Sequence, residues 1–227
     1  MSLLLVRHGQ ASAGTDDYDR LSARGIEQAT RLGAWLAEAG QAIDGALIGG
    51  MRRHRQTFDA IAAGHAQAGG AALPAPVVDT CLDEFDHHAV FDTFARDHAD
   101  HPAVAGSRAG GLQALGALIH AALGAWSEDR IAGVPETWQA FGERVGRAGA
   151  ALAQRRDEHV LVVTSGGVIS RLAQAALGAS DRAAVDLNLS LRNSAVCEFH
   201  LRPYGLALGS FNTLPHLHDR RDLWTYY

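Results

Sequence analysis

The chain has no lysine, only two cysteines and no long apolar run, and each shortage removes a class of protein. All 20 cationic side chains are arginines, dispersed along 227 residues rather than bunched into a stripe, and the net charge is −5 with histidines neutral. That pattern argues against nucleic acid as a partner, because neutralising a phosphate backbone takes clustered cations. Cys81 and Cys197 are far apart in sequence and belong to no CxxC or Cys/His cluster with zinc-ligand spacing, so two packed thiols in a reducing compartment are expected. The longest apolar stretch, Ala114–Trp126, is interrupted by His120 and is shorter than the roughly 18 residues a membrane span needs. At the N-terminus the apolar run Leu3–Val6 follows no basic region and is ended by Arg7, which does not describe a signal peptide. These readings predict a cytoplasmic protein with neither a membrane nor a nucleic acid partner.

What is present is ordinary globular composition, enough for a single domain over residues 1–227 with a large buried core. Leu3–Val6 reads as a buried strand and Ser22–Ala39 as a helix capped by Ser22, with Ile26, Ala29, Gly33 and Leu36 on one face. Ala46–Ile48 reads as a second strand, followed by an arginine-rich helix from Arg52 to Ala63 and a loop over His65–Pro76, with a short strand at Val77-Val78. Residues 85–135 carry helical stretches at Phe91–His98 and Leu112–Trp126, broken by Gly and Pro, and read as an inserted helical cap. A helix at Thr137–Arg156, a strand at His159–Val163, a helix at Gly166–Leu177 and strands at Ser194–His200 and Leu206–Ser210 complete the chain. Alternation of strands and helices predicts an α/β three-layer sandwich: a mostly parallel central sheet with helices on both faces and the cap insertion. The exposed-looking late strands are compatible with a homodimer.

Arg7-His8-Gly9 follows the first buried strand, at the carboxyl edge where open α/β sheets bind ligands. A histidine there can attack phosphorus while Arg7 holds phosphoryl oxygens and Gly9 lets the backbone approach. Arg53 stands near the start of the helix after the second strand and is aimed at the same edge, whereas Arg52 and Arg55 read as a solvated face. Thr164-Ser165-Gly166-Gly167 joins the most apolar strand to a helix, where backbone N–H groups and the helix dipole favour an anion. Glu84 follows a short strand and can protonate a leaving alkoxide and then deprotonate water; Asp83 and Asp86 read as exposed loop acids.

Together these segments resemble the histidine phosphatase superfamily, also called the phosphoglycerate mutase-like family, over nearly the whole chain. Leu5–Gln10 resembles the N-terminal signature, and Tyr18-Asp19-Arg20-Leu21-Ser22 with Gly25 and Gln28-Ala29 resembles the segment after it. Arg53 with Thr57 matches the second phosphate-pocket arginine, although Gly49 replaces the usual serine and His54 the usual alanine. Glu84 falls at the proton donor, Val162–Gly167 matches the last motif except at one position, and Asn193-Ser194 resembles the late Asn-containing strand.

The resemblance implies a phosphomonoester hydrolase with His8 as nucleophile, Glu84 as acid and base, a phosphate pocket of Arg7, Arg53, Ser165 and Gly166, a small phosphorylated substrate, and no metal or other cofactor. At Ser165 the family carries a second histidine, and losing one such contact costs about 3–4 kcal/mol of transition-state stabilisation. Ser165 is not itself expected to be a nucleophile, because Val163 stands where a Gly-x-Ser-x-Gly elbow needs glycine. Another histidine is therefore sought among His54, His87, His88, His216 and His218, with His216 preferred because its segment can fold back over the sheet edge. Mutase chemistry is the near alternative, but Ala11–Asp17 lacks the Trp and Asn of glycolytic mutases. A phospho-ligand-binding protein weakened at Ser165 and a structural module are the alternatives from other classes.

Overall fold

The computed structural model describes residues 1–12, 19–108 and 110–226. Tyr18 of the second motif and most of Ala11–Asp17 lie outside the described residues.

Six strands form one sheet: β1 (Ser2–Arg7), β2 (Gly45–Ile48), β3 (Val77–Val78), β4 (His159–Thr164), β5 (Val196–Arg202) and β6 (Gly205–Thr213). Their order is β3-β2-β4-β1-β5-β6, the first four mutually parallel, β5 antiparallel to β1 and β6 antiparallel to β5. Side chains alternate across the pleat, so one strand feeds two cores. Leu3, Leu5, Leu47, Val160 and Val162 pack with α6 (Trp138–Ala153) and α7 (Gly166–Leu177), whereas Val6, Ile48, Leu161 and Val163 pack with α1 (Ala23–Glu38) and α2 (Arg52–Gln67). Helices therefore cover both faces of a mostly parallel sheet, the three-layer sandwich expected.

Ser22 caps α1 by accepting from the Gly25 N–H, as its position predicts. Helix α2 runs four residues beyond the expected end at Ala63, through Gly64 and His65. Gly64 does not stop the helix; it lets α2 lie directly on α1, because a Cβ there would meet the Thr30 carbonyl oxygen at 2.0 Å. Gly33 plays the reciprocal part, with an added Cβ only 1.9 Å from the Ile61 carbonyl oxygen.

Between β3 and α6 the chain forms α3 (His87–Asp97), α4 (Pro102–Arg108) and α5 (Leu112–Ser127). Asp86 caps α3 through the Ala89 N–H, which starts that helix four residues before the expected Phe91. Helix α4 and α8 (Asp181–Ser190) were not expected; α8 carries few buried apolar residues, Ala184 and Val185, and is started by the Ser180 cap. Among the described residues, no helix is long and apolar enough to cross a membrane.

Candidate active site

His8 follows the last residue of β1 and is 5% exposed. Its backbone is fixed on both sides: its N–H donates to the Thr164 carbonyl (2.9 Å) and its carbonyl accepts from Ser194 N–H (3.2 Å). Ser194 reaches that position with φ of 57°, so the Asn193-Ser194 motif serves as a strut behind the histidine. Gly9 next donates to Thr57 Oγ1 at 3.1 Å, and a Cβ there would collide with the Gly25 carbonyl oxygen at 2.4 Å. The glycine is required by this close approach rather than by a special backbone angle.

The His8 Nδ1 lies 2.8 Å from the Gly9 carbonyl oxygen. A carbonyl only accepts, so this contact assigns the proton to Nδ1 and leaves the lone pair on Nε2. Burial, then the charges of Arg53 and Arg7 and the His54 ring, hold the imidazole pKa well below its ordinary value. His8 is therefore neutral at pH 7 with a nucleophilic nitrogen.

Arg7 donates from Nη1 to the Leu191 carbonyl, which tethers its guanidinium beside the end of α8. Arg53 has a side chain only 4% exposed and pairs through Nη1 with Asp19 Oδ1 at 2.8 Å. Asp19 also accepts from the Arg52 N–H, so one carboxylate caps α2 and aims Arg53. Arg52 and Arg55 are solvent-facing, and Arg55 lies 4.0 Å from Asp59.

Glu84 is half-buried and accepts from Gly167 N–H through Oε2 (3.0 Å) and from Phe85 N–H through Oε1 (3.3 Å). Burial raises its pKa against the opposing pull of the Gly167 N–H and the two arginines. A carboxyl group biased toward its neutral form beside two guanidinium groups is suited to proton donation. Asp83 is not the exposed loop acid expected: it is half-buried and accepts from Gly50 N–H. Asp86 is exposed.

The anion-binding turn differs from expectation. Gly166 opens α7 beside Arg7, but Ser165 is fully buried and its hydroxyl is 2.7 Å from His54 Nε2. His216 is corrected outright. Its ring is buried and bonded through Nε2 to Ser194 Oγ at 2.9 Å, because Pro215 starts a short 3₁₀ turn packed on α1 that directs the ring inward. It supports the strut behind His8 and lines no part of the pocket. Burial lowers its pKa to about 3, as it does for His54, where Arg53 adds to the effect. His218 lies on the surface.

Arg7, His8, Arg53 and Glu84 open into one cavity of about 320 Å³. His87, His88 and Phe91 of α3, Leu115 and Ile119 of α5, Leu189 of α8 and Tyr226 form its walls. The α8 wall and Tyr226 had no sign in the sequence, and Asp19 stood in a motif without a role. The Asp19 role was signalled only by an acid ahead of an arginine-rich helix that lacks a capping residue of its own, since Met51 makes no side-chain cap.

One edge of this three-layer α/β fold thus gathers a histidine, two arginines and a carboxylic acid. The chain belongs to the histidine phosphatase superfamily (branch 1), whose family model matches residues 3–214. Solved structures share the fold at low identity. The alpha-ribazole phosphatase of Shigella flexneri is 22% identical, with 94% of this chain and 96% of that one covered and a TM-score of 0.65. Phosphoglycerate mutase from Bacillus anthracis is 18% identical, with 96% and 95% covered and a TM-score of 0.65. A mycobacterial glucosyl-3-phosphoglycerate phosphatase is 22% identical, with 93% and 98% covered and a TM-score of 0.61. No curated protein matches the chain.

Proposed function

We propose that the protein is a metal-independent phosphomonoester hydrolase of the cytoplasm that works through a phosphohistidine on His8. The observation that carries this reading is the His8 imidazole itself: neutral, with Nδ1 committed to the Gly9 carbonyl and Nε2 left with its lone pair in a cavity shared with Arg7, Arg53 and Glu84. In the first step Nε2 attacks phosphorus in line, the phosphorus–oxygen ester bond breaks, and Glu84 transfers its proton to the departing alkoxide. Arg7 and Arg53 neutralise charge on the equatorial oxygens. In the second step the Glu84 carboxylate takes a proton from water as its oxygen attacks phosphorus, the phosphorus–nitrogen bond breaks, and inorganic phosphate leaves.

The substrate is a small phosphorylated molecule. The apolar wall formed by Phe91, Leu115, Ile119 and Leu189 favours a leaving group with an apolar body, which makes an aryl phosphate a suitable first probe. Hydrolysis is preferred to return of the phosphoryl group to a second hydroxyl because Ala11–Asp17 lacks the Trp and Asn of glycolytic mutases. The test is phosphate release from an aryl phosphate with and without EDTA. Activity that survives the chelator and disappears in His8→Ala supports the proposal; release that depends on a metal, or that persists in His8→Ala, refutes it.

A further inference from the structure

Three departures from the family pattern, Gly49, His54 and Ser165, meet at one point in space. His54 is fully buried on α2, and its Nε2 lies 2.7 Å from Ser165 Oγ. A Cβ at Gly49 would lie 2.2 Å from His54 Nδ1, so glycine in place of the usual serine makes room for the imidazole. Ser165 is the N-cap residue of α7, yet its hydroxyl makes no capping bond and turns to His54 instead.

The same point lies beside the nucleophile. Arg7 and Thr164 are paired on adjacent parallel strands, so His8 and Ser165 follow them side by side at the carboxyl edge. Neighbouring strands run about 4.8 Å apart and matched positions project to the same face, which puts Ser165 on the His8 side of the sheet, fully buried and just outside the cavity lining. The His54 ring completes the triangle, its centroid 5.9 Å from that of His8.

We propose that this cluster is a relocated second histidine: His54 on α2 donates from Nε2–H to Ser165 Oγ, and the Ser165 hydroxyl in turn donates to an oxygen of the phosphoryl group on His8. The assignment rests on phosphoryl transfer through His8. Ser165 is then the residue that touches the transferring group, and His54 is a positioning residue acting through it. A hydroxyl that receives a hydrogen bond is a stronger donor than an isolated one, so the relay restores part of what the serine alone lacks. Nδ1 faces two acceptors, the Gly49 backbone and Asp83 Oδ1 at 3.9 Å, without a hydrogen bond of normal geometry to either, and the relay therefore assigns the proton to Nε2.

The test measures kcat and KM on an aryl phosphate and affinity for orthovanadate, with thermal melts to confirm folding and His8→Ala as the control. His54→Ala is expected to lower kcat by roughly 30- to 1,000-fold with KM little changed, since the relay strengthens as charge builds in the transition state. Vanadate affinity falls with kcat. His54→Gln keeps a side-chain N–H for Ser165 and recovers to within about tenfold of wild type, whereas His54→Met, which fills the space without a donor, does not. Met takes the place of Ala in the comparison if the cavity unfolds the chain. The double variant His54→Ala/Ser165→His returns an imidazole to the strand end and exceeds His54→Ala by about tenfold or more.

A histidine that only fills space gives losses that follow the melting temperature and no rescue by glutamine, and that result overturns the proposal. Wild-type kcat in a folded His54→Ala or His54→Met also overturns it, leaving the phosphohistidine reading intact if His8→Ala is inactive. A wild type that neither turns over nor binds vanadate overturns both.

Discussion

Replacing Glu84 by glutamine separates proton transfer from every other contribution to the site. The amide is the same size, and its one oxygen can keep the 3.0 Å bond from the Gly167 N–H while the longer 3.3 Å bond from the Phe85 N–H is given up, so most of the local structure should persist. What it loses is a proton that burial has made easier to retain. General acid catalysis contributes about 10²- to 10⁴-fold, so Glu84→Gln should slow hydrolysis of an alkyl phosphate by about that factor. A nitrophenolate departs without protonation, so with nitrophenyl phosphate the first step should fall by no more than about tenfold. The second step still needs a base to activate water. The phosphoenzyme should therefore accumulate, and rapid mixing should record a burst of nitrophenol equal to the enzyme concentration, followed by a turnover slower than that of wild type. An equal loss for alkyl and aryl esters, with no burst, would remove Glu84 from both proton transfers and leave it a merely structural acid.

Gly167→Ala should cost activity through the same carboxyl group, because the new methyl carbon would lie 2.2 Å from Glu84 Oε1 and 3.0 Å from the Phe85 ring; a kcat within twofold of wild type would show that Glu84 need not sit where it does. Stability should fall as pH drops below 6.5 toward 3, since the unfolded chain takes up protons that buried His54 and His216 refuse until about pH 3. Each such histidine contributes a slope of up to about 1.4 kcal/mol per pH unit in that window, so urea unfolding of His216→Gln should show a flatter pH dependence, and an unchanged slope would refute the assignment. Gly64→Ala should destabilise by about 1–3 kcal/mol or more by forcing α1 and α2 apart, with the melting temperature as readout and an unaltered value as the contrary result.

The architecture was readable where periodicity was strong. The strands of the parallel core and α1, α2, α6 and α7 each carry an apolar pattern long enough to identify, and the order of strands and helices implied the three layers. Boundaries failed where tertiary packing overrode local signals, as at Gly64, whose lack of a side chain serves a helix–helix contact rather than a helix end. Short α4 and sparsely buried α8 carried too little apolar periodicity, and with α8 the Asn188 and Leu189 part of the cavity wall was missed.

In the site, Arg7 and His8 could be named at the end of β1 and Arg53 at the start of α2, since strand ends of a parallel sheet converge, and Glu84 followed the short β3, from which a 3₁₀ turn at Thr80–Leu82 separates it. The histidine near Ser165 could not be chosen the same way. His54 and His216 are both buried, and only the fold shows that one faces the sheet edge and the other the back of Ser194. Asp19 belonged to a motif but carried no role, because its partner, Arg53, is 34 residues away in sequence.

A covalent intermediate on His8 is what distinguishes this mechanism from direct attack of water. Enzyme mixed with an aryl phosphate, quenched in alkali within the first turnover and digested for mass spectrometry should carry one phosphoryl group on the peptide containing His8, stable to base and lost in acid. His8→Ala should carry none. A phosphoryl group on Ser165 or another residue, or turnover by wild type with no phosphorylated peptide at any time, would contradict the mechanism proposed for this site.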